Sequence, residues 1–246
     1  MNLYDLKYKK FGESSILIEW PALIDENILK NILLFKSNID KKYISLKIYS
    51  KTSYNSLLIT YPDEIDEIDE IDKFSELKTI YSNLKRLKKQ SFHKWEIPVC
   101  YYIEFGKDLK FLEKSLSLQI EEIISLHISK EYRVFNIGFL PGFLYLGGLD
   151  EKIHYPRKDK PELNIQKGSV GIGGSQTGIY PNHSPGGWNI IGNTPIKLFD
   201  LEKTPPCFIN AGDKIKFKSI SKKEYELISI ELESNIYELK KTLIND

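Results

Sequence analysis

Between Val170 and Gly192 the chain reads VGIGGSQTGIYPNHSPGGWNIIG, which sets three amides, several hydroxyls, an imidazole and an indole among seven glycines with no Asp, Glu, Lys or Arg. Gln176, Thr177, Tyr180, His183 and Trp188 are the side chains of this run that could do chemistry. Converging with backbone N–H groups, they suit a neutral or singly charged small molecule, because a concave site needs few charges. The glycines answer equally to tight turns and close strand crossings, where a positive φ or a missing Cβ is required. Tyr180 and Trp188 answer equally to a barrel core, where aromatics dominate the packing.

Several familiar chemistries fail against the letters. A P-loop requires a lysine and a hydroxyl residue after its last glycine, and Gly168…Gly173 is followed by Gly174 and Ser175. A dinucleotide fingerprint breaks at Gln176, and a nucleophile elbow around Ser175 breaks at Thr177. The two cysteines, Cys100 and Cys207, form no CxxC, and no His or Cys stands at metal-ligand spacing, so no structural metal is expected. With 35 Lys plus Arg against 34 Asp plus Glu, the charge balance favours neither nucleic acid nor an anionic membrane. The first residues lack an apolar signal core and no apolar run is long enough for a membrane helix, which leads to the expectation of a cytoplasmic protein.

The elements that must position these residues fall into two halves. Twelve of the 15 glycines lie between Gly138 and Gly192, whereas residues 1–95 hold Gly12 alone. In the first half, Ser15–Trp20, Ile44–Ser50 and Ser56–Tyr61 read as strands. A helix opens at Asp25, carries Ile28, Leu29, Ile32, Leu33 and Phe35, and should stop at Asn38. A second helix starts in the acidic tract at Asp63 and runs to Lys85, Arg86, Lys88 and Lys89, matching the dipole. This half is expected to be a small α+β sandwich, residues 1–92, with the break near 88–96. Beyond it, HKWEIPVCYYIEF reads as a strand with edge character, and two short helices fit Asp108 to about Ser129. Strands are expected at YRVFNIGF, PIKLFD, DKIKFKSIS and YELISIELE, so residues 93–246 should form a mainly β, closed or nearly closed barrel.

The segments IGFLPGFLYLGGLD (Ile137–Asp150), YPR (Tyr155–Arg157), GSVGIGGSQTGIYP (Gly168–Pro181) and SPGGWNIIGNTPIKLFD (Ser184–Asp200) carry a long, ordered resemblance to one family. It extends back through SLHISKEYRVF, IPVCY, SLLITY and FGESSILIEW and so covers nearly the whole chain. The chain resembles the B subunit of the bacterial ATP-dependent 5-oxoprolinase, a family also called kinase-inhibitor protein or allophanate hydrolase subunit 1. Two departures stand out: Tyr102 and Ile103 replace a pair of glycines, and Leu144 replaces a proline of the LPGFPYL pattern.

The resemblance implies an α+β N-terminal domain followed by a cyclophilin-like barrel domain, and a hydrolase that opens the lactam of 5-oxoproline to L-glutamate at the expense of ATP. It implies a hetero-oligomer with the C and A subunits of that enzyme, inactive as a single chain, with ATP in a site shared with a partner and no tightly bound cofactor. In that picture Arg157 holds a carboxylate or phosphate with its planar fork, and Arg133 is a second candidate. Gln176 and Thr177 bond the lactam, Phe139, Phe143 and Trp188 wall the pocket, and His127 and His183 are candidate proton carriers. Tyr180, Pro141 and Gly142 belong to the same expected concavity, formed by Leu140–Gly142, Tyr155–Arg157 and Gly173–Trp188. The rival reading is a regulatory module that grips and inhibits a sensor histidine kinase.

Overall fold

The structure is a computed structural model that describes residues 3–63, 65–84 and 91–245. The chain divides into two compact units, Met1–Gln90 and Ser91–Asp246. The expected basic end of the second helix, 85–89, and the first part of the expected break at 88–96 lie outside the described residues.

The first unit comprises β1 (Lys7–Phe11), β2 (Ser15–Glu19), α1 (Glu26–Lys42), β3 (Tyr49–Thr52), β4 (Ser56–Thr60) and α2 (Glu67–Ser82). Its antiparallel sheet has the order β1-β2-β4-β3. Strand alternation puts Ile16, Ile18, Leu57 and Ile59 on one face, where they meet Ile28, Ile32, Phe35 and Ile39 of α1. Asp25 caps α1 by accepting from the Asn27 and Ile28 amides. The helix does not stop at Asn38, whose side chain donates to the Leu34 carbonyl; it runs on to a cap at Tyr43. Ile44 and Leu46, expected in a strand, are consequently exposed in a turn, and β3 starts only at Tyr49. Helix α2 is capped by Asp66 and ends at Ser82, with Leu77 and Tyr81 buried and Ile71 exposed.

The second unit comprises β5 (Ser91–Cys100), α3 (Leu109–Leu116), α4 (Ile120–Ser129), β6 (Glu131–Ile137), β7 (Leu144–Gly147), β8 (Glu162–Ile165), β9 (Ser169–Gly173), β10 (Gln176–Ile179), β11 (Ser184–Gly186), β12 (Asn189–Asn193), β13 (Lys214–Ile220), α5 (Lys222–Glu233) and β14 (Lys241–Asn245). Seven strands in the order β12-β9-β10-β7-β6-β13-β5 close into a barrel through a β12–β5 pairing of Asn193 with Cys100. Alternating residues fill it, among them Ile97, Val99, Val134, Leu144, Leu146, Val170, Ile172, Ile179, Ile191 and Phe217. Strands β8 and β11 form a separate two-stranded ribbon.

Three expectations need correction here. Strand β5 is central, with β13 along one side and β14 along Ser91–Trp95 on the other. Pro98 fits because β14 has already ended at that level, so its missing N–H leaves no ladder bond unmade. Tyr225–Glu233 is not a strand but most of α5, whose capping box joins Ser221 and Glu224 and whose Ile228 and Leu232 pack on the barrel core. PIKLFD, residues 195–200, belongs to no strand. No helix among the described residues is long and apolar enough to cross a membrane.

Candidate functional site

The strand pleat decides which candidate residues meet. On β10, Thr177 and Ile179 face the barrel interior, so Gln176 and Gly178 face out; on β7, Leu144 and Leu146 face in and Tyr145 faces out. On the outer face of β7, β9, β10 and β12, Phe143, Tyr180, Trp188, Ile165 and Ile190 form a second small apolar cluster, with Leu140 and Tyr145 against it.

Glycines make room for its indole. A Cβ on Gly173 would lie 2.6–2.7 Å from the atoms of the Trp188 ring, and one on Gly178 would lie 2.9 Å from it. Phe143 meets Trp188 edge to face at a centroid distance of 5.4 Å and 89°, and meets Tyr180 at 4.9 Å and 87°. Tyr145 stands 5.9 Å from Trp188. Phe139, 65% exposed, completes the wall 5.9 Å from Phe143; its φ of 69° is a left-handed backbone that is costly for a bulky residue. Gly142 allows that loop to close, with φ 83° and a Cβ position 2.7 Å from Phe199. Burial raises the pKa of Tyr180, which stays a neutral phenol.

Arg157 lies over the indole, its guanidinium carbon 5.4 Å from the ring centroid. It is exposed and forms no hydrogen bond to the described residues, so its planar donors face solvent above a buried indole. Gln176 is half-buried at the start of β10. Phe139, Phe143, Arg157, Tyr180 and Trp188 are thus assembled on one side of the barrel. Pro141 and His183 are exposed in loops, His183 just ahead of β11.

Three candidates lie elsewhere. Thr177, expected to bond the lactam, is fully buried inside the barrel and donates to the Gly171 carbonyl at 3.0 Å. His127, expected to carry protons, is fully buried beside it. Because the single Thr177 hydroxyl proton is committed to Gly171, Nε2–H of His127 donates to Thr177 Oγ1 at 2.9 Å, and Nδ1 accepts from Tyr101 at 2.8 Å. Burial pushes its pKa down to about 3, so it is a neutral core node, stacked on Phe217 at 4.6 Å. Arg133 is 3% exposed and donates to the Gly212 carbonyl, with its guanidinium 5.9 Å from the Phe92 ring. These contacts tie Arg133 to Gly212 and Phe92.

Several glycines of this part of the chain serve close packing. Gly173 and Gly178 are covered by the indole, Gly186 by the Tyr180 phenol and Gly168 by the Thr194 carbonyl.

Gly178→Ala is expected to be severe, since its Cβ would also sit 2.5 Å from the Leu144 carbonyl oxygen, a backbone atom with little freedom to yield. Overpacking of this kind costs about 1–3 kcal/mol. A thermal melt followed by near-ultraviolet circular dichroism should show a drop of several degrees together with a changed aromatic signal; an unchanged melt would rule out the close packing.

Residues 6–209 match the family model described as carboxyltransferase domain, subdomain C and D. A curated protein named as the B subunit of 5-oxoprolinase, from Bacillus subtilis (strain 168), is 51% identical over 130 residues, which are 53% of this chain and 54% of that protein. The chain spans between about half and two-thirds of the curated relatives of that name. The crystal structure of the conserved uncharacterized protein PH0987 from Pyrococcus horikoshii is 39% identical, covers 89% of this chain and 100% of its own, and superposes with a TM-score of 0.52. The Kluyveromyces lactis urea carboxylase shares the fold at 18% identity, with a TM-score of 0.81 over 99% of this chain and 24% of that one. A family match from residue 6 to 209 takes in the aromatic shelf and most of both units, and the chain belongs to the carboxyltransferase domain, subdomain C and D, family, alongside relatives named as 5-oxoprolinase B subunits.

Proposed function

We propose that this chain is a subunit of an ATP-dependent 5-oxoprolinase and works with the C and A subunits to open 5-oxoproline to L-glutamate. The observation that carries the reading is Arg157, whose hydrogen-bond donors stand unengaged by the described residues above an indole seated on glycines. That surface suits a small carboxylate with an apolar ring. The guanidinium fork takes the carboxylate through two parallel hydrogen bonds. The exposed Phe139 ring and the half-buried Tyr145 ring offer apolar contact to the ring methylenes, backed by the buried Phe143 and Trp188 rings, and the Gln176 amide offers both a donor and an acceptor to the lactam.

A lactam is a poor electrophile, held by the resonance that makes a peptide planar, so its hydrolysis needs activation. The chain carries neither a P-loop nor a dinucleotide fingerprint, and on this reading the nucleotide is held in a site completed by a partner subunit. The relatives' names support a complex of this kind.

Reconstitution tests the reading. Purified chain, alone and mixed with the C and A subunits, is supplied with ATP and 5-oxoproline while glutamate is measured. Release should occur only with the complete set. Robust release by the isolated chain overturns the shared site, and a complete set that is inactive overturns the enzymatic reading in favour of a regulatory module.

A further inference from the structure

Arg157 sits on a strap, residues 155–162, that is tied down along its length. Tyr155 exchanges backbone hydrogen bonds with Gly174 at 3.2 and 2.7 Å. Asn189 Nδ2 donates to the Pro156 carbonyl at 2.8 Å, and the Lys158 amide donates to the Gly187 carbonyl at 2.7 Å. The strap therefore lies against residues 187–189, the segment that carries Trp188.

The side chains add a clasp. Lys158 Nζ donates to both oxygens of Asp108, at 2.8 and 2.7 Å, and to Glu162, which also pairs with Lys107. Both members of the central pair are largely withdrawn from water, Lys158 with 19% and Asp108 with 15% side-chain exposure. Asp108 precedes α3, yet its carboxylate makes no bond to that helix's first turn. Its Oδ2 accepts instead from the Ile190 amide at 2.6 Å, while its own amide donates to the Ile190 carbonyl at 3.0 Å. One carboxylate thus joins the strand that follows Trp188 to the residue that follows Arg157. Burial disfavours the Lys158 ammonium, but the hydrogen bonds to Asp108 and Glu162 more than offset this and leave its pKa raised, so Lys158 carries its charge at neutral pH.

We propose that Lys158, held by Asp108, is a positioning residue that fixes the Arg157 guanidinium over Trp188 and so pre-forms the carboxylate grip of this chain. Its effect on substrate rests on the reading of Arg157 as the carboxylate holder; its effect on the Arg157–Trp188 geometry does not. A surface ion pair would contribute little. A mostly desolvated pair that also serves a backbone amide has a defined geometry to enforce, and pre-organisation of this kind acts on affinity.

The test is a double-variant cycle on the full chain with two readouts. The first is the indole N–H resonance of Trp188, assigned with Trp188→Phe and recorded without ligand. Arg157→Ala and Lys158→Met should each move it in the same direction, and the double variant should move it no further than Arg157→Ala does. The second is the KM for 5-oxoproline in the reconstituted complex: a rise of roughly tenfold for Lys158→Met with kcat nearly unchanged, nothing added in the Arg157→Ala background, and recovery in Lys158→Arg. Asp108→Asn, which keeps an acceptor for Ile190, should reproduce Lys158→Met and replaces it if that variant does not fold. Independent, additive shifts of the indole signal overturn the proposal, as does an indole signal that Lys158→Met and Asp108→Asn leave unmoved. A moved indole signal with unchanged KM in every variant, Arg157→Ala included, upholds the positioning and overturns the carboxylate reading.

Discussion

Lowering the pH from 6.5 to 4.5 should remove about 2 kcal/mol of stability from the wild-type chain through His127 alone, and His127→Leu should show no such loss. The folded-state pKa lies near 3, well below the 6.5 of a free imidazole. Between those values the unfolded chain binds a proton that the folded chain refuses, so stability rises with pH across the window and is lost as pH falls through it. Each pH unit well below 6.5 is worth about 1.4 kcal/mol, and the slope is half of that at 6.5, where the unfolded imidazole is half protonated. At pH 7 the variant should be weaker than wild type by roughly 2–4 kcal/mol, because the Tyr101 hydroxyl loses its acceptor in a dry core and Thr177 loses its donor. Acidification should then bring the two stability curves together. Carboxylates whose pKa values are lowered in the fold, such as Glu131 and Glu162, weaken both proteins alike and cancel in the difference. Denaturant titrations at pH 7, 5.5 and 4.5 give the measurement. Curves that stay parallel would show that His127 is not held neutral in the barrel.

The same residue shows where the sequence stops being legible. His127 is visible as a histidine in a helix, but whether it meets solvent depends on Thr177, fifty residues away, and on which face of β10 that threonine takes. A one-residue change of register would exchange Thr177 for Gln176 or Gly178. The glycine shelf is hidden in the same way: Gly173 and Trp188 stand fifteen residues apart and meet because β9 pairs with β12. By contrast, β2, β4, the Asp25 cap and the pair of short helices α3 and α4 are legible locally, since each is set by nearest-neighbour spacing.

Where sequence and structure part, the causes are particular. Residues 195–200 alternate in burial as a strand would, with Ile196 and Leu198 buried and Lys197 exposed, but no strand lies beside them to complete a ladder. Alternation reports burial and leaves pairing undetermined. In α5 the β-branched content of YELISIELE suggests a strand, yet the Ser221–Glu224 capping box just ahead of it fixes a helix start. Strand β1 is hard to read because KYKKF carries lysines at three of five positions, the composition of a charged sheet edge. Tyr145 and Asp108 belong to no motif that marks them as site residues, although the LYL pattern of β7 already sends Tyr145 to the face opposite Leu144 and Leu146.

Arg157→Ala should lower kcat/KM of the reconstituted complex for 5-oxoproline by roughly thirty- to a hundredfold, the equivalent of about 2–3 kcal/mol for one bidentate charge-assisted contact. Folding should be nearly untouched, since the side chain is exposed and its described contact is the face of Trp188. The loss should fall mainly on KM if the carboxylate is gripped equally in the ground and transition states, because uniform binding changes KM and not kcat. Arg157→Lys keeps the charge but not the planar fork, so it should recover only part of the activity. A Trp188→Leu variant should show a smaller defect of the same kind, because the indole supports the guanidinium without meeting the carboxylate. The steady-state parameters of these three variants, read beside their melting temperatures, make the comparison. A well-folded Arg157→Ala complex that loses less than threefold in kcat/KM would return Arg157 to the role of an ordinary surface cation, and the substrate carboxylate would have to be held by another residue or by the partner subunit.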